Sequence, residues 1–330
     1  MTRIVMLSRA GRESLPTDLL HDLEREHDLT VLQRRDAPTP HETIRILADA
    51  DVLATTNVTL PPLTPMTLAR LPRLREVVLY ATGYEHVDLP LLRSHGVSLT
   101  TLPEYATRAV AEHALALLLS QTTRLHLAND KARGLAPDDV SLRGTELHSS
   151  TVAVVGVGRI GSEVARLLQA LGVSVIGVDP DPAAQRTARL SGIRVAPLEQ
   201  ALSEADHAVV CASTIPGAPP VLDERALYSL RRGAFVCNIG RPALVNRDVM
   251  RQLLLDGHVR GYAVDDIVAS SNDPLNELLI TEGRLLQTAH SAWWRDEVLH
   301  RGARMFGEAI QAAADAAPQS VTIRTAGAAR

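Results

Sequence analysis

Three glycines near the middle of the chain have the spacing of a phosphate-binding turn. Gly156, Gly158 and Gly161 follow the apolar run Thr151–Val155 and precede a stretch with the pattern of an amphipathic helix. The first glycine would permit a tight bend, the second would let the backbone approach a pyrophosphate, and the third would allow close helix–strand packing. The N–H groups at the helix start would face the phosphates. The sequence therefore predicts a dinucleotide site, in preference to a purely structural turn.

A carboxylate ends the next predicted strand, which covers residues 173–179. Asp179 could accept hydrogen bonds from a ribose diol, and its charge would repel a 2′-phosphate. The following Pro180 and Asp181 bring no cation to this position. The sequence therefore favours NAD over NADP as the cofactor.

Three other segments carry groups that could bind or protonate a small acid. Arg241 follows an apolar run, and its planar guanidinium could hold a carboxylate or polarise a carbonyl. His290 ends another predicted strand, and imidazole exchanges protons near neutral pH. Gly83 follows a third predicted strand and would leave backbone N–H groups free to bind an anion. All three follow strands, and open parallel sheets bind their ligands at the carboxyl ends of strands.

Each of these side chains also has an ordinary structural interpretation. An arginine after a strand is usually a surface residue, and the ring of His290 could simply pack against the two tryptophans that follow it. Together, behind a dinucleotide motif, Arg241 and His290 favour catalysis. His86, His113 and His126 are expected to be a turn residue and two helix positions without partners.

Alternating strands and helices must position these groups. A long apolar helix is predicted over 106–123, and a second alternating series follows from 151 to 288. The last helix, 292–316, is expected to return to the first part of the chain. The first part is predicted to contain strands at 3–8, 29–33, 51–55, 74–80 and 97–101, with helices such as 17–27 and 40–50 between them.

This order predicts an α/β fold with two doubly wound parallel-sheet domains. A Rossmann-type dinucleotide-binding domain is expected to span residues 102–291. A discontinuous, flavodoxin-like substrate domain is expected to combine residues 1–101 with 292–330.

Composition places the chain among ordinary globular proteins. Its 330 residues are enough for about two domains, and 45% are hydrophobic, 22% are charged and the net charge is −4. No basic block suggests nucleic acid, and no apolar run approaches the roughly 18 residues that span a bilayer. Cys211 and Cys237 lack disulfide or metal spacing. We therefore expect a cytoplasmic protein that binds small molecules, without a metal, nucleic-acid or membrane partner.

With these motifs in order, the chain resembles the D-isomer-specific 2-hydroxyacid dehydrogenase family over residues 3–306. Besides the glycine motif, the resemblance is carried by 81–88 (Ala-Thr-Gly-Tyr-Glu-His-Val-Asp), 109–112 (Ala-Val-Ala-Glu), 238–241 (Asn-Ile-Gly-Arg) and 288–290 (Thr-Ala-His). Members of that family reversibly transfer a hydride between NAD(P) and a small 2-oxo or 2-hydroxy acid. They also share the two-domain arrangement expected above.

The resemblance implies a role for each site residue. Arg241 would hold the substrate and polarise its carbonyl, and His290 would be the general acid and base. The backbone N–H groups of Arg159 and Ile160 would cap the pyrophosphate. The cofactor contacts that the resemblance implies are those of Gly156, Gly158, Arg159, Ile160, Gly161, Asp179, Ile239, Gly240, Asp265, Val110 and Thr214. The substrate contacts that it implies are those of Ala81, Thr82, Gly83, Arg241 and Trp293.

One departure from the family concerns the partner of the catalytic histidine. The family has a glutamate that pairs with this imidazole, and here that position holds Ser270. Such a carboxylate orients the ring and favours its protonated form. Without it, reduction of the substrate, which needs the protonated ring, is expected to weaken above neutral pH. Asp266, Asp273 or Glu277 could take the role if the loop bends inward, and the sequence leaves these three open.

Two other departures lie near the expected site. Pro242 stands where the family usually has glycine, and a proline disfavours helical backbone in the residue before it, so Arg241 is expected to be extended. The loop 213–220 replaces the family's usual Pro-Leu-Thr segment near the cofactor.

These observations favour an NAD-dependent dehydrogenase of a small 2-oxo or 2-hydroxy acid. Two alternatives stay open: a catalytically weak NAD-binding sensor or interaction protein on the same fold, and a dehydrogenase of a small anion such as phosphite. The apolar helix and the segment after it, together 106–143, correspond to the region through which family members dimerise. A homodimer is therefore expected.

Overall fold

A computed structural model describes residues 1–215, 217–269 and 272–316, together with the backbone of 323–325. The chain divides into two compact units, of which the first contains Met1–Ala106 and Arg295–Arg330 and the second contains Thr107–Trp294. The first unit is thus discontinuous.

Strands and helices alternate along most of the chain. The strands are β1 (Arg3–Ser8), β2 (Asp28–Gln33), β3 (Val52–Thr56), β4 (Glu76–Tyr80), β5 (Ser98–Thr101), β6 (Thr151–Val155), β7 (Ser174–Val178), β8 (Arg194–Val195), β9 (His207–Val210), β10 (Ala234–Asn238), β11 (Val259–Val264), β12 (Leu285–Gln287) and β13 (Ile323–Thr325). The helices are α1 (Thr17–Glu26), α2 (Pro40–Leu47), α3 (Pro65–Leu68), α4 (Leu89–Ser94), α5 (Thr107–Thr123), α6 (Leu125–Ala132), α7 (Arg159–Ala170), α8 (Pro182–Leu190), α9 (Leu198–Glu204), α10 (Glu224–Tyr228), α11 (Arg247–Leu255), α12 (Pro274–Thr281) and α13 (Asp296–Asp315).

The first unit is built on a parallel sheet with the strand order β2-β1-β3-β4-β5-β13. Its first five strands have the flavodoxin-like order 2-1-3-4-5. The inner strands are almost continuously apolar, as in the buried run from Ile4 to Leu7, because a parallel sheet is covered on both faces. Helix α13 packs against β4 and α1. The last helix therefore belongs to the first unit.

The second unit has a parallel sheet with the order β8-β7-β6-β9-β10-β11-β12. Counted from its own first strand the order is 3-2-1-4-5-6-7, so its first six strands have the Rossmann order and β12 adds a seventh at the edge. Successive side chains of β6 enter different cores, with Val152 and Val154 on one face and Ala153 and Val155 on the other. The predicted fold class, two doubly wound parallel-sheet domains, is confirmed.

Helix α5 packs against α7 and β10 of the second unit. It buries small and apolar side chains such as Ala111, Ala114 and Leu118, as its nearly uniform apolar sequence predicts. Within the described ranges, the structure contains no helix with the length and apolar character to cross a membrane. The cytoplasmic location expected from the sequence stays a prediction.

Candidate active site

The glycine turn between β6 and α7 has the geometry that its spacing predicts. Gly156 has φ +91, and a Cβ there would lie 2.6 Å from the backbone nitrogen of Ala212. A Cβ at Gly161 would overlap the carbonyl oxygen of Gly156, so this glycine lets the helix approach the strand. Gly158 is the N-cap of α7, and a Cβ there would meet no atom within 4 Å. Of the three glycines in this turn, only Gly158 therefore borders open space.

The start of α7 also leaves its backbone donors available. Its N-cap, Gly158, has no side chain with which to cap the helix. Helices α8 and α11 of this unit, by contrast, are capped by the side chains of Asp181 and Asn246, whereas α6 and α9 also lack a side-chain cap. A helix start with free N–H groups beside open space suits an anion. The residues present therefore fit the pyrophosphate of a dinucleotide.

Asp179, immediately after β7, ties the glycine turn to the neighbouring strand. Its Oδ2 accepts a hydrogen bond from the N–H of Val157 at 2.9 Å, and its Oδ1 accepts one from the N–H of Asp181 at 2.9 Å. The side chain is half-buried. A carboxylate held at this position can accept further hydrogen bonds from a ribose diol because each oxygen has more than one lone pair.

The turn that carries Arg241 is fixed by the side chain of Asn238 at the end of β10. The amide nitrogen of Asn238 donates to the carbonyl oxygen of Arg241 at 2.9 Å and to the hydroxyl of Tyr262 at 3.1 Å, and its amide oxygen accepts from the N–H of Gly240 at 3.0 Å. Arg241 itself is extended, with φ −136 and ψ 149, as Pro242 predicts. The guanidinium is half-buried, and its Nη1 donates to the carbonyl oxygen of Gly240 at 3.1 Å.

The turn that carries His290 is fastened by Asp265 at the end of β11. Asp265 is 6% exposed and accepts hydrogen bonds from the hydroxyl of Thr288 at 2.7 Å and from the N–H groups of Ser291 at 2.9 Å and Ala292 at 3.1 Å. His290 has φ +52, and its N–H donates to the carbonyl oxygen of Thr288 at 2.7 Å. The chain is thus held on both sides of the histidine, which stabilises an uncommon backbone conformation.

The imidazole of His290 faces Asp266, which directly follows Asp265 in the loop after β11. Its Nδ1 lies 3.6 Å from Oδ2 of Asp266, and the two side chains are 49% and 34% exposed. Of the other two acids left open by the sequence, Asp273 pairs with Arg251 at 2.8 Å, and Glu277 is exposed in the first turn of α12. Ser270, which stands where the family has its glutamate, lies outside the described residues.

Arg241 and His290 follow strands of the same sheet. Strand β11 lies between β10 and β12, and all three run parallel. With neighbouring strands about 4.8 Å apart, the carboxyl ends of β10 and β12 are about 10 Å apart. Arg241, Asp265 and His290 therefore share one edge of the sheet, at the carboxyl ends where such sheets bind ligands.

Two histidines expected to lack partners have them, so that expectation was wrong. Nε2 of His113 lies 3.0 Å from the hydroxyl of Thr288 and 3.6 Å from Oδ1 of Asp265. Nδ1 and Nε2 of His126 lie 3.1 and 3.2 Å from the carbonyl oxygens of Ser120 and Gly283, and burial lowers the pKa of His126. The physical reason is that α5 is buried, so polar groups on and beside it must find hydrogen-bond partners.

Other predicted cofactor residues lie in the same unit. Val110 is half-buried and packs on the core beneath the glycine turn, and Ile239 is buried directly after β10. Ile160 is half-buried and Arg159 exposed in the first turn of α7. Thr214, half-buried, follows β9. Their proposed contacts with a cofactor stay predictions.

The predicted substrate residues divide between the two units. Ala81, Thr82 and Gly83 follow β4 of the first unit, where the hydroxyl of Thr82 donates to the carbonyl oxygen of Leu102 at 3.3 Å. Trp293 belongs to the second unit, is half-buried and meets the ring of the following tryptophan edge-on, with centroids 5.0 Å apart.

Comparison with known proteins extends this description. The model of the family described as "D-isomer specific 2-hydroxyacid dehydrogenase, NAD binding domain" matches residues 115–292. The chain is 31% identical over 245 residues to D-3-phosphoglycerate dehydrogenase of Mycobacterium tuberculosis, which covers 74% of this chain and 46% of that protein. It is 26% identical over 294 residues to glyoxylate reductase of Pyrococcus furiosus, covering 87% and 84%. The chain thus spans about half the length of the mycobacterial relatives.

Solved structures give the same fold. D-lactate dehydrogenase of Aquifex aeolicus, complexed with NAD and lactic acid, superimposes with a TM-score of 0.76 at 23% identity, covering 93% of this chain and 94% of that one. An acyclic imino acid reductase in complex with NADPH and D-Arg gives 0.77 at 22% identity, covering 92% and 94%. The matched NAD-binding domain contains both the glycine turn and Asp179. The predicted cofactor, NAD, is confirmed.

Proposed function

Because the chain belongs to the D-isomer specific 2-hydroxyacid dehydrogenase family, we propose that it reversibly interconverts a small 2-oxo acid and the corresponding 2-hydroxy acid. NAD(H), when bound at the glycine turn, supplies or removes the hydride. The observation that carries the proposal is that Arg241 and His290 follow strands of the sheet that also presents the glycine turn. A cation and a proton donor beside a dinucleotide site are the two groups that reduction of a 2-oxo acid requires.

Arg241 has the role of binding and polarising the substrate. Its guanidinium offers a planar set of donors that match a carboxylate or an adjacent carbonyl oxygen. The side chain is half-buried and its backbone is held by Asn238. A positioned cation of this kind stabilises the negative charge that develops on the carbonyl oxygen during reduction.

His290 has the role of general acid in reduction and general base in oxidation. With Nδ1 turned towards Asp266, Nε2 is the nitrogen available to the substrate oxygen. Asp265 holds the chain on the far side of the ring, so the imidazole starts from a defined backbone position. In this scheme Trp293, which follows His290 in the same unit, also contacts the substrate.

The test is oxidation of NADH in the presence of a panel of 2-oxo acids. We expect turnover by the natural chain and a loss of about 10²- to 10⁴-fold in kcat for His290→Asn, the usual contribution of a general acid. We expect Arg241→Ala to lose about 100-fold or more in kcat/KM, because charged hydrogen bonds to the substrate disappear.

Matched controls come from the opposite edge of the same sheet. His258 bonds through Nε2 to the carbonyl oxygen of Leu230, and Arg232 donates to the carbonyl oxygen of Asp256. We expect His258→Asn and Arg232→Ala to keep the natural rate. If His290→Asn and Arg241→Ala also keep it, the assigned roles are wrong.

The same panel separates the alternatives. Phosphite and formate with NAD belong in it, because turnover of these anions alone would indicate a different substrate for the same site. NADH binding without turnover of any compound would favour a sensor or interaction protein and contradict the proposed reaction.

We also propose that the chain forms a homodimer through the region 106–143. Three leucines in its second part are unusually exposed for their type: Leu125 is 65%, Leu135 56% and Leu142 40% exposed. Apolar side chains clustered in one segment are typical of a subunit interface. Light scattering is expected to give twice the chain mass, and Leu125→Glu together with Leu135→Glu to give the monomer. A natural chain that is monomeric at all concentrations would contradict the proposal.

A further inference from the structure

Asp266 lies beside the imidazole of His290, to which the proposed function gives the role of general acid. We propose that Asp266 is the positioning residue of His290: it orients the imidazole through Nδ1, so that Nε2 is directed to the substrate. This inference rests on the proposed function. It gives His290 a carboxylate partner, which the family's glutamate would supply at the position that Ser270 occupies in this chain. It goes beyond the family pattern, because the acid comes from a different place on the loop.

The Asp266 carboxylate is held by its own loop. Its Oδ1 accepts the N–H of Ile267 at 2.7 Å, which leaves Oδ2 facing Nδ1 of His290 at 3.6 Å. That separation is an ion-pair distance, slightly beyond a hydrogen bond. Contacts between catalytic groups are often long in a protein without ligand and shorten when the substrate binds. A small rotation of either half-exposed side chain would close the gap.

The loop around Asp266 is clamped at both ends. On one side, Asp265 takes the backbone N–H groups that follow His290. On the other, the side-chain oxygen of Gln287 accepts from the N–H groups of Val268 at 3.0 Å and Ala269 at 3.2 Å, while its nitrogen donates to the carbonyl oxygen of Ala269 at 2.9 Å. Both clamps link the loop after β11 to the segment that contains β12. The backbone segments that carry Asp266 and His290 are therefore held close to each other.

The other charged groups at this edge of the sheet have other partners. Asp265 directs its oxygens to Thr288 and to the backbone beyond the ring. Asp273 pairs with Arg251 and caps α12. Arg241 follows β10, the strand beside β11. Among the residues whose placement is described, Asp266 is the acid within ion-pair distance of His290.

The experiment compares Asp266→Asn and Asp266→Glu with Asp273→Asn as the control. The control removes an equal charge from the same loop, and asparagine can still cap α12. Two readouts are measured: kcat and KM for 2-oxo acid reduction, and the ¹⁵N NMR signals of the His290 ring nitrogens without substrate, assigned by His290→Asn.

For Asp266→Asn we expect kcat to fall about tenfold with little change in KM, because a ring that is no longer held in position delivers its proton less effectively. The ¹⁵N signals of the His290 ring nitrogens should also move. Asp266→Glu should restore most of the natural kcat, and Asp273→Asn should match the natural chain in both readouts. The inference is overturned if Asp266→Asn leaves both readouts unchanged, or if Asp273→Asn changes them equally.

The NMR readout needs no turnover, so the two proposals fail separately. If no substrate turns over but the ring signals move in Asp266→Asn, the proposed reaction fails and the Asp266–His290 pairing stands. If the natural chain reduces 2-oxo acids and Asp266→Asn matches it in kcat and in the ring signals, the inference fails and the reaction stands. Asp266→Glu, which keeps the charge, serves if Asp266→Asn does not fold: a natural kcat supports the pairing, and a kcat about tenfold lower overturns it.

Discussion

Replacement of Gly158 by alanine separates cofactor binding from stability. The residue has φ −70 and ψ −158, an extended conformation, and the added methyl group would meet no protein atom within 4 Å. Loss of an N-cap glycine costs about 1 kcal/mol. Reduced freedom of the unfolded chain returns about 0.4–1 kcal/mol. The free energy of unfolding should therefore change by less than about 0.5 kcal/mol.

The effect of Gly158→Ala on the cofactor should be much larger. The methyl group would occupy the space through which the backbone approaches the pyrophosphate. Loss of one hydrogen bond to a charged group costs about 1.5–3 kcal/mol. That corresponds to a dissociation constant for NADH that is about 10- to 150-fold higher.

Substitution of a second glycine, Gly257, should have the opposite pair of effects: lower stability and unchanged NADH binding. Gly257 lies at the amino-terminal edge of the sheet, before β11. Its φ is +70, and a Cβ added there would meet no atom within 4 Å. Gly257→Ala should cost about 1 kcal/mol of unfolding free energy through left-handed strain, and it should leave NADH binding unchanged. NADH fluorescence titration and urea unfolding measure the two quantities. Natural NADH affinity in Gly158→Ala would refute the assignment of this turn to the pyrophosphate.

Three further predictions concern the same unit. Asp179→Ala should weaken NADH binding about tenfold or more and raise the preference for NADPH, because the carboxylate that repels a 2′-phosphate is gone; unchanged selectivity in competition titrations would contradict this. Burial raises the pKa of the Cys237 thiol well above its usual value, so this fully buried thiol should not react with a disulfide reagent at pH 8 until urea unfolds the chain. Arg124→Ala should lower the free energy of unfolding by about 3 kcal/mol, since the buried guanidinium donates to the carbonyl oxygens of Gly283 and Glu282; a change below about 1 kcal/mol in urea unfolding would refute it.

Most strands were predictable because a parallel sheet buries both of its faces. Each inner strand is then a continuous apolar run between polar turns, and β1 occupies the residues 3–8 that its sequence predicts. Strand β13 was not predicted. It has three residues, Ile323–Thr325, and pairs with β5 from far along the chain. So short a segment contains no period from which pairing could be inferred.

The start of the last helix was placed too early for a physical reason. Residues 292–295 suit a helix by composition, yet α13 begins at Asp296. The backbone N–H of Ala292 bonds instead to the carboxylate of Asp265, which holds this segment in the turn after His290. A long-range hydrogen bond overrides the local preference.

Motif residues of the site could be predicted, but their partners could not. The glycines, Asp179, Arg241 and His290 are marked by their type and their place after strands. Which of three acids faces His290 depends on the path of the loop after β11, which is fixed by Gln287 from a different strand. His113 was missed as a partner of Thr288 for a similar reason, although a polar residue in an otherwise apolar helix is itself a signal.

A crystal structure with NADH and oxamate, an unreactive analogue of a 2-oxo acid, tests the central claim most directly. We expect NADH along the glycine turn, the oxamate within hydrogen-bond distance of the Arg241 guanidinium, and its second oxygen at Nε2 of His290. Oxamate bound away from both side chains, or NADH bound elsewhere than at Gly158, would contradict the account.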